Sequence, residues 1–416
     1  MVVQFDGKTF EGGGQLVRTA ICLSALTGKA IRIDDVRGNR AGGGGLKAQH
    51  LTCVHWLQRA CAAKVDGDNK GSKTLQFRPG KMKRGLEPVW TQANASNGQE
   101  IIETHVSIGS AGSTTLALQA ILPFVLFSDL VPKTSTIRLN FSGGTNVPAS
   151  LSFEYVDQVL LPTLRHITRM DMAVKLHERG WTHGPATIGH FTMELKPAQL
   201  ASCPVFNLCP MDPDVQTRQP TKIRATCIVP KRCMQQCRTD LTPAIQKAFT
   251  IASGDATSLV SISCEDSGHD KRLYIILVAT VPSDPGNYQY RLGADWLYDR
   301  KLRSHEEAIG DMIKGVVEDL ARQWASGAYV DKHMRDQLVI FQSLADGRSK
   351  IYGGDIQGDT EALQPPDLHA QTAEWVCSKL IGATFDGEGT CDGIALRGIE
   401  NEDVDLLGER LQGLQA

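Results

Sequence analysis

EGGGQLVRTAICLSALTGKAIRI, residues 11–33, runs from an acid through three glycines into an apolar-periodic helix, a turn, and the short strand AIRI. The same theme returns along the chain. RAGGGGLKAQHLTCVHWLQRACAAKV (40–65) leads a glycine loop into a helix, and VSIGSAGSTTLALQAILPFVLF (106–127) does so again, with STIRLNF (135–141) as the following strand. FSGGTNVPASLSFEYVDQVLLPTLRHI (141–167) supplies a fourth glycine turn and helix. Further helices are read over 308–330, 330–347 and 368–382, and CDGIALRG (391–398) as a late strand. Paired helices alternating with short strands predict an α+β fold in which one unit repeats and helices cover one face of each sheet.

The segment from about 196 to 291 departs from this theme. It is rich in cysteine, with the β-like runs SLVSIS and RLYIILVATV and a helix near TPAIQKAFTIAS, and the repeat resumes after it. The pattern predicts a small α/β domain, 196–291, inserted into a large domain made of 1–195 and 292–416. Two polar stretches, 81–105 and 353–367, read as surface loops without periodicity.

The chain's 416 residues exceed the usual single-core limit, in accord with two domains. With 41% hydrophobic and 22% charged residues the composition is that of an ordinary globular protein, and the net charge of −2 confines any nucleic-acid contact to a local patch. No secretory leader is read at the N-terminus. The longest apolar run, LALQAILPFVLF, is too short to span a membrane and carries Pro123, so a buried helix is expected. Eleven cysteines without such a leader point to free thiols in a reducing compartment. Only Cys233 and Cys237 in the cysteine-rich segment have metal-like spacing, which on a helix simply places two small apolar groups on one face.

EGGGQLVR matches neither the dinucleotide fingerprint nor the P-loop. Its physics still suits an anion: glycines admit close backbone approach, the helix start offers free N–H groups, and Arg18 follows one turn in. Glu11 then serves a metal or a cap. The second loop sets Arg37, Arg40 and Lys47 around four glycines, with Gln49 and His50 at the next helix start. Two such loops predict a concentrated phosphate pocket, since the guanidinium fork pairs with phosphate oxygens. His369, in PPDLHAQTAEW, falls in a first helical turn, where the dipole favours the neutral, nucleophilic imidazole.

Taken together, EGGGQLVRTAICLSALTGKAIRI, RGNR and GLKAQHLT resemble the N-terminal signature of RNA 3'-terminal phosphate cyclases. SAGSTTLALQAILP, FSGGTN, HERGWTHGP, DQLVIFQSLADG and LHAQT resemble later blocks of that family in the same order. The resemblance implies three four-stranded-sheet, two-helix units plus an inserted small α/β domain. It further implies ATP-dependent conversion of an RNA 3'-phosphate to a 2',3'-cyclic phosphate through a histidine–AMP intermediate, with Mg2+ or Mn2+. By the same resemblance His369 is the nucleophile. Gln119, Leu151, His333, Asp336 and Gln337 fall at the ATP site, Arg18, Arg37, Arg40, Gln49 and His50 at the phosphates and RNA end, and Glu11 at the metal. The partner implied is RNA with a 3'-phosphate end, the location the nucleus with the cytoplasm as the alternative, and the assembly a monomer or homodimer without membrane attachment.

The chain also departs from the family pattern. His333 stands where a tyrosine usually stacks on adenine, and Leu151 stands for a proline on the other face. PATIGHF replaces a glycine triplet, and the linker before LHAQT is long. A sister branch of the same fold serves ribosomal RNA processing without cyclising and lacks the histidine; retention of His369 with Glu11, Arg18 and Arg40 favours the enzyme. Carboxyvinyl transferases of related architecture lack the DQL and LHAQT blocks.

Overall fold

The computed structural model describes residues 2–80, 89–95, 98, 100–131, 135–196, 202–209, 220–251, 256–281, 289–356, 359–363 and 365–396. The chain is a mixed α+β protein of several small sheets. In the first, β1 (Val2–Asp6) pairs parallel with β2 (Ala30–Asp34), and β2 and β3 (Lys64–Asp66) both pair antiparallel with β4 (Leu75–Arg78), giving the order β1-β2-β4-β3. Helix α1 (Gly14–Thr27) links β1 to β2, and α2 (Ala48–Ala60) precedes β3.

The second sheet has the order β5-β6-β7-β9-β8, from β5 (Thr91–Asn94), β6 (Glu100–Ser107), β7 (Thr136–Gly143), β8 (Met172–Glu178) and β9 (Gly189–Leu195). Here α3 (Thr114–Phe127) joins the parallel pair β6–β7. A broken helix follows β7: α4 (Phe153–Tyr155), a π-helical turn over Val156–Leu160, and α5 (Leu161–Thr168). Strands β5 and β6 correct the reading of 81–105 as a loop. Its second half alternates, burying Ile102, Thr104 and Val106 on one face, with Ile101 buried on the other, and β6 lies inside the sheet between β5 and β7, while the polar β5 forms its edge. Residues 81–88, 96, 97 and 99 lie outside the described residues.

Strand β10 (Asn207–Leu208) comes next in sequence but pairs much later, with β15 (Arg348–Ile351). Between them lies a separate sheet of order β12-β11-β13-β14, from β11 (Lys222–Val229), β12 (Val260–Asp266), β13 (Tyr274–Val281) and β14 (Tyr290–Leu297). Its helices are α6 (Met234–Phe249), the short α7 (Ala256–Leu259) and α8 (His305–Ala325). Strand alternation gives β13 two allegiances. Ile275, Leu277 and Ala279 join α6 and α8 in a core of their own, whereas Tyr274, Ile276 and Val278 face the main core. Cys227, Cys233 and Cys237 are buried, and all eleven cysteines are free thiols.

After α9 (Lys332–Ser343) come β15, a hairpin of β16 (Asp355–Ile356) and β17 (Asp359–Leu363), α10 (Leu368–Ile381), β18 (Thr384–Phe385) and β19 (Thr390–Asp392). The last sheet has the order β10-β15-β19-β18. The hairpin corrects the loop reading of 353–367 over its paired residues; residues 357, 358 and 364 lie outside the described ones. The late strand predicted over 391–398 shrinks to β19, and 397 onward is not described.

Helix α1 is buried on every side from Gly14 to Ala25 because it packs against α10, α3 and α2 as well as its own sheet. A helix so enclosed has no solvent face, so its one cation, Arg18, is carried into the interior. Pro123 sits within α3, which is buried almost throughout, as its apolar sequence predicts.

Candidate functional site

The first glycine loop positions a carboxylate. A Cβ on Gly13 would collide with the Glu11 carboxyl group, and one on Gly14 would lie 2.7 Å from both Arg18 Nη1 and His50 Nε2. The second and third glycines of the triplet thus make room for side chains converging on the start of α1. Glu11 does not cap that helix: its N-cap is Gly13, with no side-chain hydrogen bond. Instead the backbone N–H of Glu11 donates to Thr372 Oγ1 at 3.1 Å, and its carboxylate ion-pairs with Arg40. His369 Nδ1 lies 3.9 Å from Glu11 Oε1. Glu11 Oε2 is buried and has no hydrogen-bond partner among the described residues.

His369 reaches this corner because Asp367 caps α10, accepting from Ala370 N at 2.8 Å, which fixes the histidine in the first turn. Its side chain is 45% exposed, open to a ligand, while Glu11 beside it is 5% exposed. Thr372, one turn on, ties this helix to the Glu11 loop.

Arg18 forms a second centre. Its Nε donates to Gln119 Oε1 and its Nη2 to Gln15 Oε1, both at 2.6 Å. Burial weakens its hold on the proton, opposed by the Asp336 and Glu11 carboxylates. Asp336 accepts from Gln337 Nε2 at 2.9 Å and is pushed up to about 6 by burial, against the pull of that bond and of His369 and Arg18. These ties link Glu11, Arg18, Asp336 and His369 into one cluster of ionisable side chains.

The second loop is partly self-supporting. Arg37, at φ +56°, donates from Nη1 to Gly45 O at 2.9 Å and is buried, so this guanidinium braces the loop. Gln49 accepts from Ser113 N at 3.2 Å, joining α2 to the third glycine loop. His50 is 2% exposed, and its Nδ1 accepts from Lys47 N at 3.1 Å. Burial, with Arg18, Arg37 and Lys47 nearby, drives it down to about 3.

This sets a pH signature. Unfolded histidine takes up a proton below about pH 6.5, whereas folded His50 stays neutral to about 3. The unfolded chain therefore binds more protons in that window, and His50 makes acidification destabilising by up to about 1.4 kcal/mol per pH unit. Asp336, with its raised value, has the opposite slope between about pH 4 and 6. We expect His50→Gln to flatten the fall in melting temperature between pH 6.5 and 5 relative to the parent protein, as followed by scanning calorimetry. An unchanged pH dependence would mean that His50 titrates normally in the fold.

Leu151 and His333 belong to a neighbouring region. The Leu151 carbonyl accepts from Thr115 Oγ1 at 2.6 Å. His333 is half-exposed, with Nε2 3.9 Å from Asp295 Oδ1 and its ring edge-on to Tyr155 at 6.0 Å. Between them runs a buried polar network that the sequence reading missed. Ser152 and Tyr274 share a 2.5 Å hydrogen bond, Tyr274 donates to Asp295 Oδ2 at 2.9 Å, and Tyr155 donates to Asp331 Oδ1 at 2.5 Å. Its sequence signal was slight: only Asp331, an acid before the periodic run of α9, had the look of a helix cap. Gln15 and Thr372 lay inside quoted motifs without an assigned role.

A family model described as RNA 3'-terminal phosphate cyclase matches residues 9–386. A protein named RNA 3'-terminal phosphate cyclase from Pyrobaculum neutrophilum is 30% identical over 391 residues, 92% of this chain and 94% of that one. Proteins of the same name from Caldivirga maquilingensis and Methanosarcina mazei are 31% and 28% identical, covering 84% and 92% of this chain and 87% and 96% of theirs. These archaeal relatives lend no support to the nuclear location expected from the sequence, and among the described residues no helix is long and apolar enough to cross a membrane. With nearly its whole length matched, the chain belongs to the RNA 3'-terminal phosphate cyclase family.

Proposed function

We propose that this protein uses ATP to convert the 3'-terminal phosphate of an RNA into a 2',3'-cyclic phosphodiester through a histidine–AMP intermediate on His369. The observation that carries the reading is the corner where His369 Nδ1 lies 3.9 Å from a buried Glu11 carboxylate that is also paired with Arg40. With Nδ1 turned to Glu11, Nε2 is the nitrogen presented to the α-phosphorus. Its lone pair forms the N–P bond as the bond to the bridging oxygen breaks and pyrophosphate leaves. The positive charge gained by the imidazole is met by Glu11. An oxygen of the RNA 3'-phosphate then attacks the same phosphorus and releases His369, leaving AMP joined to the RNA end. Finally the neighbouring 2'-oxygen attacks the terminal phosphorus, loses its proton, and expels AMP.

Arg18, Arg37, Arg40, Gln49 and His50 are assigned to the phosphates and RNA end, and Gln119, Leu151, His333, Asp336 and Gln337 to ATP. Arg18 suits this role because its guanidinium is already desolvated and aligned by Gln15 and Gln119. Arg40, 44% exposed, can move between Glu11 and an incoming phosphate. A divalent cation, Mg2+ or Mn2+, fits beside Glu11, whose Oε2 is buried without a partner among the described residues. Among the described residues no ready-made cage of three or more ligands exists, so phosphate oxygens and water would have to complete its coordination. When bound, the cation would neutralise the charge of two phosphorylated partners.

The architecture is read in the same way, as three repeats of one unit and an insert. The sheets β1-β2-β4-β3, β6-β7-β9-β8 and β10-β15-β19-β18 share one spatial order of four successive sheet strands, whereas β12-β11-β13-β14 does not. We place the insert between β10 and α9, with α8 included, because α8 shares the second core.

An RNA ending in a 3'-phosphate tests the activity. With ATP and Mg2+ its end becomes resistant to phosphatase and yields a 2',3'-cyclic nucleotide on digestion. An end that stays phosphatase-sensitive under these conditions contradicts the proposal.

A further inference from the structure

An apolar ledge adjoins the Glu11–His369 corner. Leu368, Thr372, Trp375 and Lys379 fall on one stripe of α10, at the i, i+4, i+7, i+11 spacing of a single helix face. Thr372 binds the backbone of Glu11, so the stripe faces the glycine loop. Phe10, the residue before Glu11, lies against Trp375 with ring centroids 6.0 Å apart, and Phe5 supports Trp375 from within at 5.3 Å. Lys379 Nζ caps the far end, 5.3 Å from the Trp375 ring. Phe10 is nonetheless 44% exposed and Leu368 53% exposed, among the few large hydrophobic side chains so placed within the described residues.

Phe10 also holds an unfavourable backbone conformation. Its φ is +50°, in a turn closed by Gly12 N to Thr9 O at 3.1 Å, where glycine or asparagine would be comfortable. A phenylalanine here is strained and leaves much of its ring in water, so folding alone does not account for it. The ring lies one residue from the carboxylate beside His369, at the edge of the site proposed to receive the RNA end.

We propose that Phe10, backed by Trp375, is a stacking platform for the base of the RNA's 3'-terminal nucleotide, with Leu368 as its rim and Lys379 drawing in the strand's phosphates. Single-stranded RNA is recognised in this manner, by unstacked bases laid on aromatic rings beside cations, and such stacking tolerates any base. The proposal rests on the reading of the corner as the RNA-end site, and it adds a positioning element that holds the terminal ribose towards His369.

Binding of a 3'-phosphorylated RNA carrying 2-aminopurine, without ATP, tests it. Fluorescence of the probe at the 3'-terminal position is quenched by the wild-type protein, and far less so deep in the strand. Phe10→Ala loses the quench and binds the RNA about ten-fold more weakly. Phe10→Tyr retains both, and Phe10→Gly, which suits the positive φ and keeps the fold, loses both. An unquenched terminal probe with wild type, or equal quenching by Phe10→Ala, overturns the platform. So does a Phe10-dependent quench of 2-aminopurine riboside triphosphate in place of the RNA, which would assign the ledge to the nucleotide. RNA that is cyclised but not quenched refutes the platform alone, and RNA that is quenched but never cyclised refutes the enzymatic reading alone.

Discussion

His369→Asn will abolish labelling of the protein by α-labelled ATP and will lower RNA cyclisation by about 10⁴-fold or more. Asparagine has no nitrogen lone pair able to form the phosphoramidate, so the first step has no substitute within the site. Stability should hardly move, because the side chain is 45% exposed and the helix cap, Asp367, is untouched. The variant also separates the steps. RNA already carrying AMP on its 3'-phosphate needs only attack by its own 2'-oxygen, so His369→Asn should still cyclise it at a rate within about ten-fold of the parent. Loss of that reaction too would make His369 a binding residue for the RNA end rather than the nucleophile.

Asp331→Ala will produce the largest loss of stability. This carboxylate is fully buried, and its Oδ1 accepts from the N–H groups of His333 at 3.0 Å and Met334 at 2.9 Å and from the Tyr155 hydroxyl. Its Oδ2 accepts from Gly293 N at 2.9 Å. The residue thus caps α9 and bolts that helix to β14 and to the broken helix after β7. Truncation strands the start of α9, a tyrosine hydroxyl and a strand N–H without partners in the interior, at a cost of about 3–5 kcal/mol. The apparent melting temperature should fall by on the order of 10 °C, with Asp331→Asn intermediate because its amide keeps one acceptor oxygen. A shift under about 2 °C for the alanine variant would show that water replaces the lost contacts. Because α9 carries Asp336 and Gln337, ATP use should weaken alongside stability.

The elements that could be read in advance are those with local signals. The glycine loop into α1, the turn at Gly28, the buried α3 with Pro123, and α10 starting beside an acid all follow from periodicity and capping. The misread stretches lacked such signals. Strand β6 was hidden in a polar context because EIIETHVS needs its sheet neighbours before its alternation acquires meaning. The same holds for β10, two residues long, which finds its partner only after a whole additional sheet.

Within the site, Glu11, Arg18 and His369 were legible as residue types but not as a constellation. His369 lies more than 350 residues after Glu11 and Arg18, and only the packing of α1 against α10 brings it to them. Arg37 stands out in the sequence as a basic residue among glycines, and what the sequence did not show is that its Nη1 also braces the loop through the Gly45 carbonyl. The Ser152–Tyr274–Asp295 and Tyr155–Asp331 contacts were invisible, since buried polar groups give no periodic pattern and acquire partners only across elements.

The most direct test is to incubate the wild-type protein with ATP and Mg2+ in the absence of RNA, digest it under mildly alkaline conditions that spare a phosphoramidate, and map the modified peptide by mass spectrometry. An acid-labile AMP on the peptide spanning Leu368 to Thr372, located at His369, is the predicted result. AMP on any other residue, or no covalent AMP while RNA ends are still cyclised, would contradict the assignment of His369 as the nucleophile.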